Sequence, residues 1–116
     1  MPADTNLNLE NARAQMRKGL LEYCILLVIS RQKVYASDII AVLKKADLLV
    51  VEGTLYPLLS RLKNAGLLDY HWQESKSGPP RKYYELTGLG KSMLKQLDDT
   101  WTNLHSSISA LRNARP

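Results

Sequence analysis

The side chains of this 116-residue chain that are best equipped for chemistry are cations and hydroxyls set close together. Arg61 and Lys63 flank Leu62, Arg81 and Lys82 are adjacent, and Lys76 stands just before them. Tyr35, Ser37, Thr54, Tyr56, Tyr83 and Tyr84 are interleaved with these cations. Guanidinium and ammonium groups neutralise phosphate, and hydroxyls donate to phosphate oxygens or base edges. The chemistry these types share is recognition of a nucleic-acid backbone, not bond cleavage. A formal net charge of +5 agrees in sign, although many basic proteins never meet a polyanion.

Catalytic and metal chemistry find little to build on. His71 and His105 lie far apart, with no carboxylate at a metal-ligand spacing. No glycine-rich phosphate loop or nucleophile elbow is present. Cys24, the only cysteine, can form neither an intrachain disulfide nor a cysteine cage, and its apolar surroundings predict an inert buried thiol. An enzyme is not expected, nor a cofactor.

The elements that must position the cations follow from periodicity. Met1 to about Asn8 carry no apolar pattern and are expected to fray. From Leu9 a helix begins, with Met16, Leu20, Tyr23, Cys24, Leu27 and Val28 at helical spacing. Leu21, Ile25, Leu26 and Ile29 occupy other faces, so its second half should be buried nearly all round. The apolar run Gly19–Ile29 contains Glu22 and is too short to span a bilayer. With no secretion leader recognisable, a cytoplasmic protein with no membrane partner is expected.

Val34 and Tyr35 predict a very short strand. A second helix, starting at Ala36 or Ser37, should bury Ala36, Ile39, Ile40 and Leu43. A third begins near Glu52–Thr54, with Val51, Leu55, Leu58, Leu59 and Leu62 as its apolar stripe. Pro57 is tolerable there if Thr54 is the N-cap. Leu68, Tyr70 and Trp72 alternate with polar residues, as do Lys82, Tyr84 and Leu86. Residues 73–80 between them read as an exposed loop, giving a two-stranded hairpin in which Tyr84 faces the core and Tyr83 faces outwards. Thr87 caps a final helix in which Leu94, Leu97, Trp101, Leu104, Ile108 and Leu111 repeat at alternating spacings of three and four. That is the seam of a helix that pairs with another.

Three helices, a hairpin and a long helix are the order of a winged helix-turn-helix. The fold class is thus mainly α with a small β-hairpin wing (α+β). Residues 9–87 would form the DNA-binding domain and residues 88–112 the C-terminal dimerisation helix. In such an architecture the third helix enters the major groove and the hairpin tip follows the phosphates, which makes Arg61, Lys63, Lys76, Arg81 and Lys82 candidate contacts.

The segments Val34-Tyr-Ala-Ser-Asp-Ile-Ile40, Glu52-Gly-Thr-Leu-Tyr-Pro-Leu-Leu-Ser-Arg-Leu62, Gly66-Leu-Leu68 and Ser77-Gly-Pro-Pro-Arg-Lys-Tyr-Tyr-Glu-Leu-Thr87 resemble the PadR family of transcriptional regulators, from about Met16 to Leu111. The resemblance implies a homodimeric repressor of an operator in double-stranded DNA, often tuned by a small aromatic or cationic ligand. It implies that Thr54 and Tyr56 enter the major groove or clasp its edge, that Tyr35 and Ser37 touch the backbone, and that Lys76, Arg81 and Lys82 serve the wing. Glu52 departs from the small or polar residue expected there; it can accept from cytosine N4 or favour the helix amino terminus. Trp101 reads first as a seam anchor; a relative that binds many drugs gives it a second role, stacking on a planar effector between protomers. Two rival readings keep the same fold: a winged-helix module that docks a partner protein, and a ligand-binding dimer with weak DNA binding.

Overall fold

The computed structural model describes residues 8–115. The expectation of fraying therefore lies outside the described residues, except for Asn8. That residue caps the first helix, its side-chain oxygen accepting from the Asn11 N–H at 2.8 Å. The elements run α1 (Leu9–Arg31), β1 (Val34–Tyr35), α2 (Ala36–Lys45), α3 (Glu52–Asn64), β2 (Leu68–Ser75), β3 (Gly78–Leu86) and α4 (Gly88–Asn113). The strands form one antiparallel sheet in the order β1-β3-β2. Four helices and this small sheet make the winged helix that the element order predicted.

A single apolar core joins Ile25, Leu26 and Ile29 of α1 to Ile39 and Leu43 of α2, to Leu55, Leu59 and Leu62 of α3, and to Leu68, Tyr84 and Leu94. Burying one such leucine or isoleucine stabilises the fold by roughly 1.5–3 kcal/mol, so these positions fix how the helices cross. The core takes a different face of α1 from the stripe that the spacing favoured. Met16 and Leu27 are exposed, and Cys24 is half-buried, where loss of water pushes its thiol pKa up. The expectation of nearly complete burial in the second half of α1 is likewise corrected. Ile25, Leu26 and Ile29 enter the core, while Leu21, Tyr23, Cys24 and Val28 pack only against its margin.

α2 and α3 end in the same way. After α2, Asp47 adopts a left-handed φ of 66°, with its N–H on the Lys44 carbonyl and Leu48 N–H on Leu43. After α3, Gly66 takes φ 81°, with its N–H on Lys63 and Leu67 N–H on Leu62. Both are Schellman turns, in which the left-handed residue lets the chain reverse while satisfying helix carbonyls. Glycine adopts that conformation without strain; aspartate is one of the few other residues that does so at modest cost.

Two further expectations are corrected. The N-cap of α3 is Val51, not Thr54, and it makes no side-chain capping bond. The helix therefore starts earlier and holds Pro57 in its interior, leaving the Gly53 carbonyl without its usual N–H donor. The wing is also longer than its sequence implied. Gln73, Ser75 and Gly78–Arg81 pair as strand, with an irregularity between Gln73 and Ser75, so the exposed loop shrinks to Lys76-Ser77. Pro79 and Pro80 are adjacent and so face opposite edges of β3: one edge is open because β1 pairs only with Tyr83 and Tyr84, and on the other the register with β2 slips between Gln73 and Ser75.

α4 is fixed at its root and bare beyond it. The Thr87 side chain accepts from Gly90 N–H at 2.9 Å and donates to the Gly66 carbonyl at 2.6 Å, while Thr87 N–H donates to the Leu67 carbonyl. Gly90 lies so close to Leu67 that a Cβ would collide with the Leu67 carbonyl oxygen. Further along, the Tyr23 hydroxyl donates to Asp98 at 2.5 Å and ties α1 to α4. This bond, followed by loss of water and by the charge of the same carboxylate, pushes the Tyr23 pKa up to about 12. Beyond it, Trp101, Leu104, Ile108 and Leu111 are 38%, 47%, 50% and 76% exposed. The radius of gyration, 17.3 Å, accordingly exceeds the roughly 13 Å of a globular chain this long.

Candidate nucleic-acid interface

The wing and the helices enclose an open cleft of about 440 Å3, lined by Tyr35, Ala36, Ser37, Tyr56, Trp72, Pro80, Arg81, Lys82 and Tyr84. Each lining residue is brought there by a local cause. Tyr35 ends β1 and precedes α2, its N–H bonded at 3.0 Å to Asp38 one turn into that helix, and this presents Ser37 on the first turn. Tyr56 lies just off the buried stripe Leu55–Leu59–Leu62 and so faces out, 47% exposed. Lys82 and Trp72 are directly opposite each other across the hairpin, on the face that carries Tyr70 and Tyr84. Nearest the helices that face closes into the core at Tyr84, where burial raises the phenol's pKa; further out it opens onto the cleft.

The cations are held rather than left to swing. Arg81 places its guanidinium 5.2 Å from the centre of the Tyr35 ring, and Tyr35 meets Tyr83 edge-on at 4.5 Å. Lys82 sits 4.4 Å from the Tyr70 ring and 5.4 Å from that of Trp72. Such cation–π contacts contribute about 0.5–1 kcal/mol at exposed sites, enough to bias a side chain without neutralising it. The arrangement is a cationic, hydroxyl-bearing cleft whose charges remain available to an anion. Tyr83 faces outwards as expected, on the side of the wing that carries His71, and is half-buried there against Tyr35.

Five of the nine residues singled out for DNA contact meet in this cleft: Tyr35, Ser37, Tyr56, Arg81 and Lys82. Lys76 is exposed at the wing tip. The other three lie elsewhere. Thr54 borders a separate apolar groove formed with α1 and residues 48–51. Arg61 turns towards α1 and pairs with Glu22 at 3.2 Å, and Lys63 leans over the Tyr70 ring at 5.3 Å. Glu52 occupies the first turn of α3, where a carboxylate suits the positive end of the helix dipole. Trp72 was missed as a cleft residue. It shares the core-facing side of β2 but lies beyond the core, and its distance from Leu68 along the strand was the available signal.

The outer face of the wing has its own polar cluster. His71 and Glu85 are 2.6 Å apart, and Lys33 reaches the same carboxylate at 3.7 Å. The His71 hydrogen bond, seconded by the Lys33 charge, holds the Glu85 carboxyl below the usual carboxylate range. Among the described residues no group of histidine, cysteine, aspartate and glutamate could hold a metal ion. No described helix is long and apolar enough to cross a membrane.

On the dimerisation side, the six residues of the predicted seam divide. Leu94 is buried in the chain's own core and Leu97 packs against it, whereas Trp101, Leu104, Ile108 and Leu111 open to solvent. Trp101 leans on His105 at 5.8 Å between ring centres.

Comparison with known proteins agrees with this architecture. The profile described as the transcriptional regulator PadR-like family matches residues 25–96. A PadR-like transcription factor from Bacteroides fragilis is 57% identical over 87% of this chain and 98% of its own, with a TM-score of 0.75. A PadR-like transcriptional regulator from Bacillus cereus is 34% identical over 87% of this chain and 99% of its own, with a TM-score of 0.77. A PadR family transcriptional regulator from Eggerthella lenta is 28% identical over 92% and 94%, with a TM-score of 0.83.

Proposed function

The chain belongs to the PadR-like family of transcriptional regulators and is a DNA-binding regulator, not an enzyme; from that premise we propose a homodimeric repressor that holds its operator in the cleft between wing and helices. The observation that carries this reading is the convergence of Tyr35, Ser37, Tyr56, Arg81 and Lys82 on one open, cation-bearing cleft. In the proposed complex α3 enters the major groove. Tyr56 and Thr54 read or clasp its edge, Tyr35 and Ser37 touch the strand beside it, and Arg81, Lys82 and Lys76 follow the phosphates. Arg61 and Lys63 contribute at longer range, because each already has an intramolecular partner.

The work is divided between residues 9–87, which bind DNA, and residues 88–112, which pair the protomers. The exposed apolar run Trp101, Leu104, Ile108 and Leu111 supports the pairing, since a helix this apolar needs cover. A planar or aromatic effector that stacks on Trp101 would relieve repression by changing how the protomers pair. The protein acts in the cytoplasm, where its operator lies.

A footprint on the DNA upstream of its own gene tests the proposal. Expected is salt-sensitive protection of two half-sites about 34–36 Å apart, or a multiple of that distance. Salt-sensitive binding with no preference for any sequence would overturn the operator claim.

A further inference from the structure

Trp72 has no part in the core and none in the contacts assigned above. Its ring is 63% exposed, although tryptophan is among the most costly side chains to leave in water. Packing does not require it there: on the same face of the hairpin, Tyr84 and Leu68 already close the core. Yet the ring is held. Tyr70 meets it edge-on at 6.3 Å, and Lys82, its cross-strand partner, sets its ammonium 5.4 Å from the indole centre. The exposed indole lines the same cleft as Ser37, Tyr56, Arg81 and Lys82.

We infer that Trp72 is a further DNA-positioning residue, its indole seated against the deoxyribose edge of the strand whose phosphates Arg81 and Lys82 hold. This rests on the reading that the cleft takes duplex DNA. The chemistry follows from the alternation of a nucleic-acid strand. Phosphates sit at regular intervals, and between them each sugar offers an apolar surface. Cations alone leave that surface hydrated. An indole fixed beside the Lys82 ammonium covers it, and the match is uncharged and independent of base identity. Trp72 therefore sets how firmly the wing grips the strand, and leaves the choice of sequence to α3.

The test uses the full-length protein with a duplex recovered by selection from bound genomic fragments, and with its scrambled counterpart. Trp72→Ala is expected to weaken binding to both duplexes by about tenfold, the order expected from losing part of the apolar burial of one large side chain. It should leave the salt dependence unchanged, whereas Arg81→Ala flattens the slope of log affinity against log salt by about 0.9. Trp72→Phe should keep most of the affinity. Fluorescence supplies a readout that a merely structural role would not move. Trp72 and Trp101 are the only tryptophans, so the duplex should shift the wild-type emission to shorter wavelength as the indole leaves water, and Trp72→Phe should bind while losing most of that shift. Wild-type affinity in Trp72→Ala, a flattened salt slope in it, or an undiminished shift in Trp72→Phe would each overturn the proposal. If Trp72→Ala does not fold, the emission comparison decides alone. A wild-type protein that binds neither duplex defeats the underlying reading before any variant is made, and this proposal with it.

Discussion

The cleft beside the wing and the outer half of α4 solve opposite problems with the same 116 residues. In the cleft one chain supplies everything: Arg81 rests on Tyr35, Lys82 on Tyr70, and Tyr35 on Tyr83, so the cations are in place before any partner arrives. Past Asp98, α4 has the reverse character. Trp101, Leu104, Ile108 and Leu111 leave apolar surface in water that no other part of the described chain covers. Preorganised charge binds an anion without first being ordered, whereas an uncovered apolar stripe gains its stability only on association. The first region should therefore tolerate separation of the protomers, and the second should not.

The sharpest way to break this contrast is Leu104→Asp combined with Ile108→Asp. Both positions are about half exposed, so the monomer's core is untouched. Sedimentation should show monomers, helical circular dichroism should persist, and operator affinity should fall at least a hundredfold as the second half-site is lost. Dimers that survive the double change would remove the contrast. Next in size is Gly90→Ala at the root of α4, where the new methyl meets a backbone carbonyl that cannot move cheaply. A loss of about 3 kcal/mol is expected in denaturant unfolding.

Arg81→Ala in the cleft should weaken all sequences alike by about tenfold, whereas Thr54→Val on α3, outside it, should change base preference with little effect on non-specific affinity. If both variants act alike, the division between positioning and reading fails. The smallest effect is expected at the inner limit of the bare stretch, where α1 is tied to α4. Tyr23→Phe removes the hydrogen bond to Asp98 and should cost about 1 kcal/mol near neutral pH. Because the folded-state pKa of Tyr23 is raised from 10.0 to about 12, its contribution is fully present below pH 10 and is lost as pH rises through 12. Wild type and Tyr23→Phe should thus converge in thermal stability in strong alkali. A gap that persists there would mean that the bond contributes nothing specific.

What the sequence disclosed, and what it withheld, divides along the range of the forces involved. Ile39 and Leu43, Leu55 and Leu59, and the long repeat of α4 were legible because their spacing is set by one helix at a time. The PadR-like segments were legible because the Gly-Thr-Leu-Tyr-Pro and Arg-Lys-Tyr-Tyr runs are local as well. The buried face of α1 was not, since two stripes compete there and the choice depends on where α2 and α3 arrive. Arg61 looked free because Glu22 is remote in sequence, and only the fold brings them together. Pro57 argues for a late helix start with Thr54 as the cap; the helix instead starts earlier and forgoes one hydrogen bond. The prolines at 79 and 80 hid part of the wing for a related reason. Whether a strand tolerates proline depends on its neighbours: here β1 stops short on one edge, and the register with β2 slips on the other.

The junction at Thr87 joins the end of α3, the foot of the wing and the start of α4 within a few hydrogen bonds, with Gly90 pressed against Leu67. A joint this tight behaves as a welded elbow. The 26 residues of α4 make an arm about 39 Å long. Rotating the arm by ten degrees sweeps its far end through about 7 Å. Run in reverse, the same leverage means that, in the proposed dimer, a small change of angle between two paired arms would alter the distance separating their attached heads, which would have to fit the fixed pitch of a double helix.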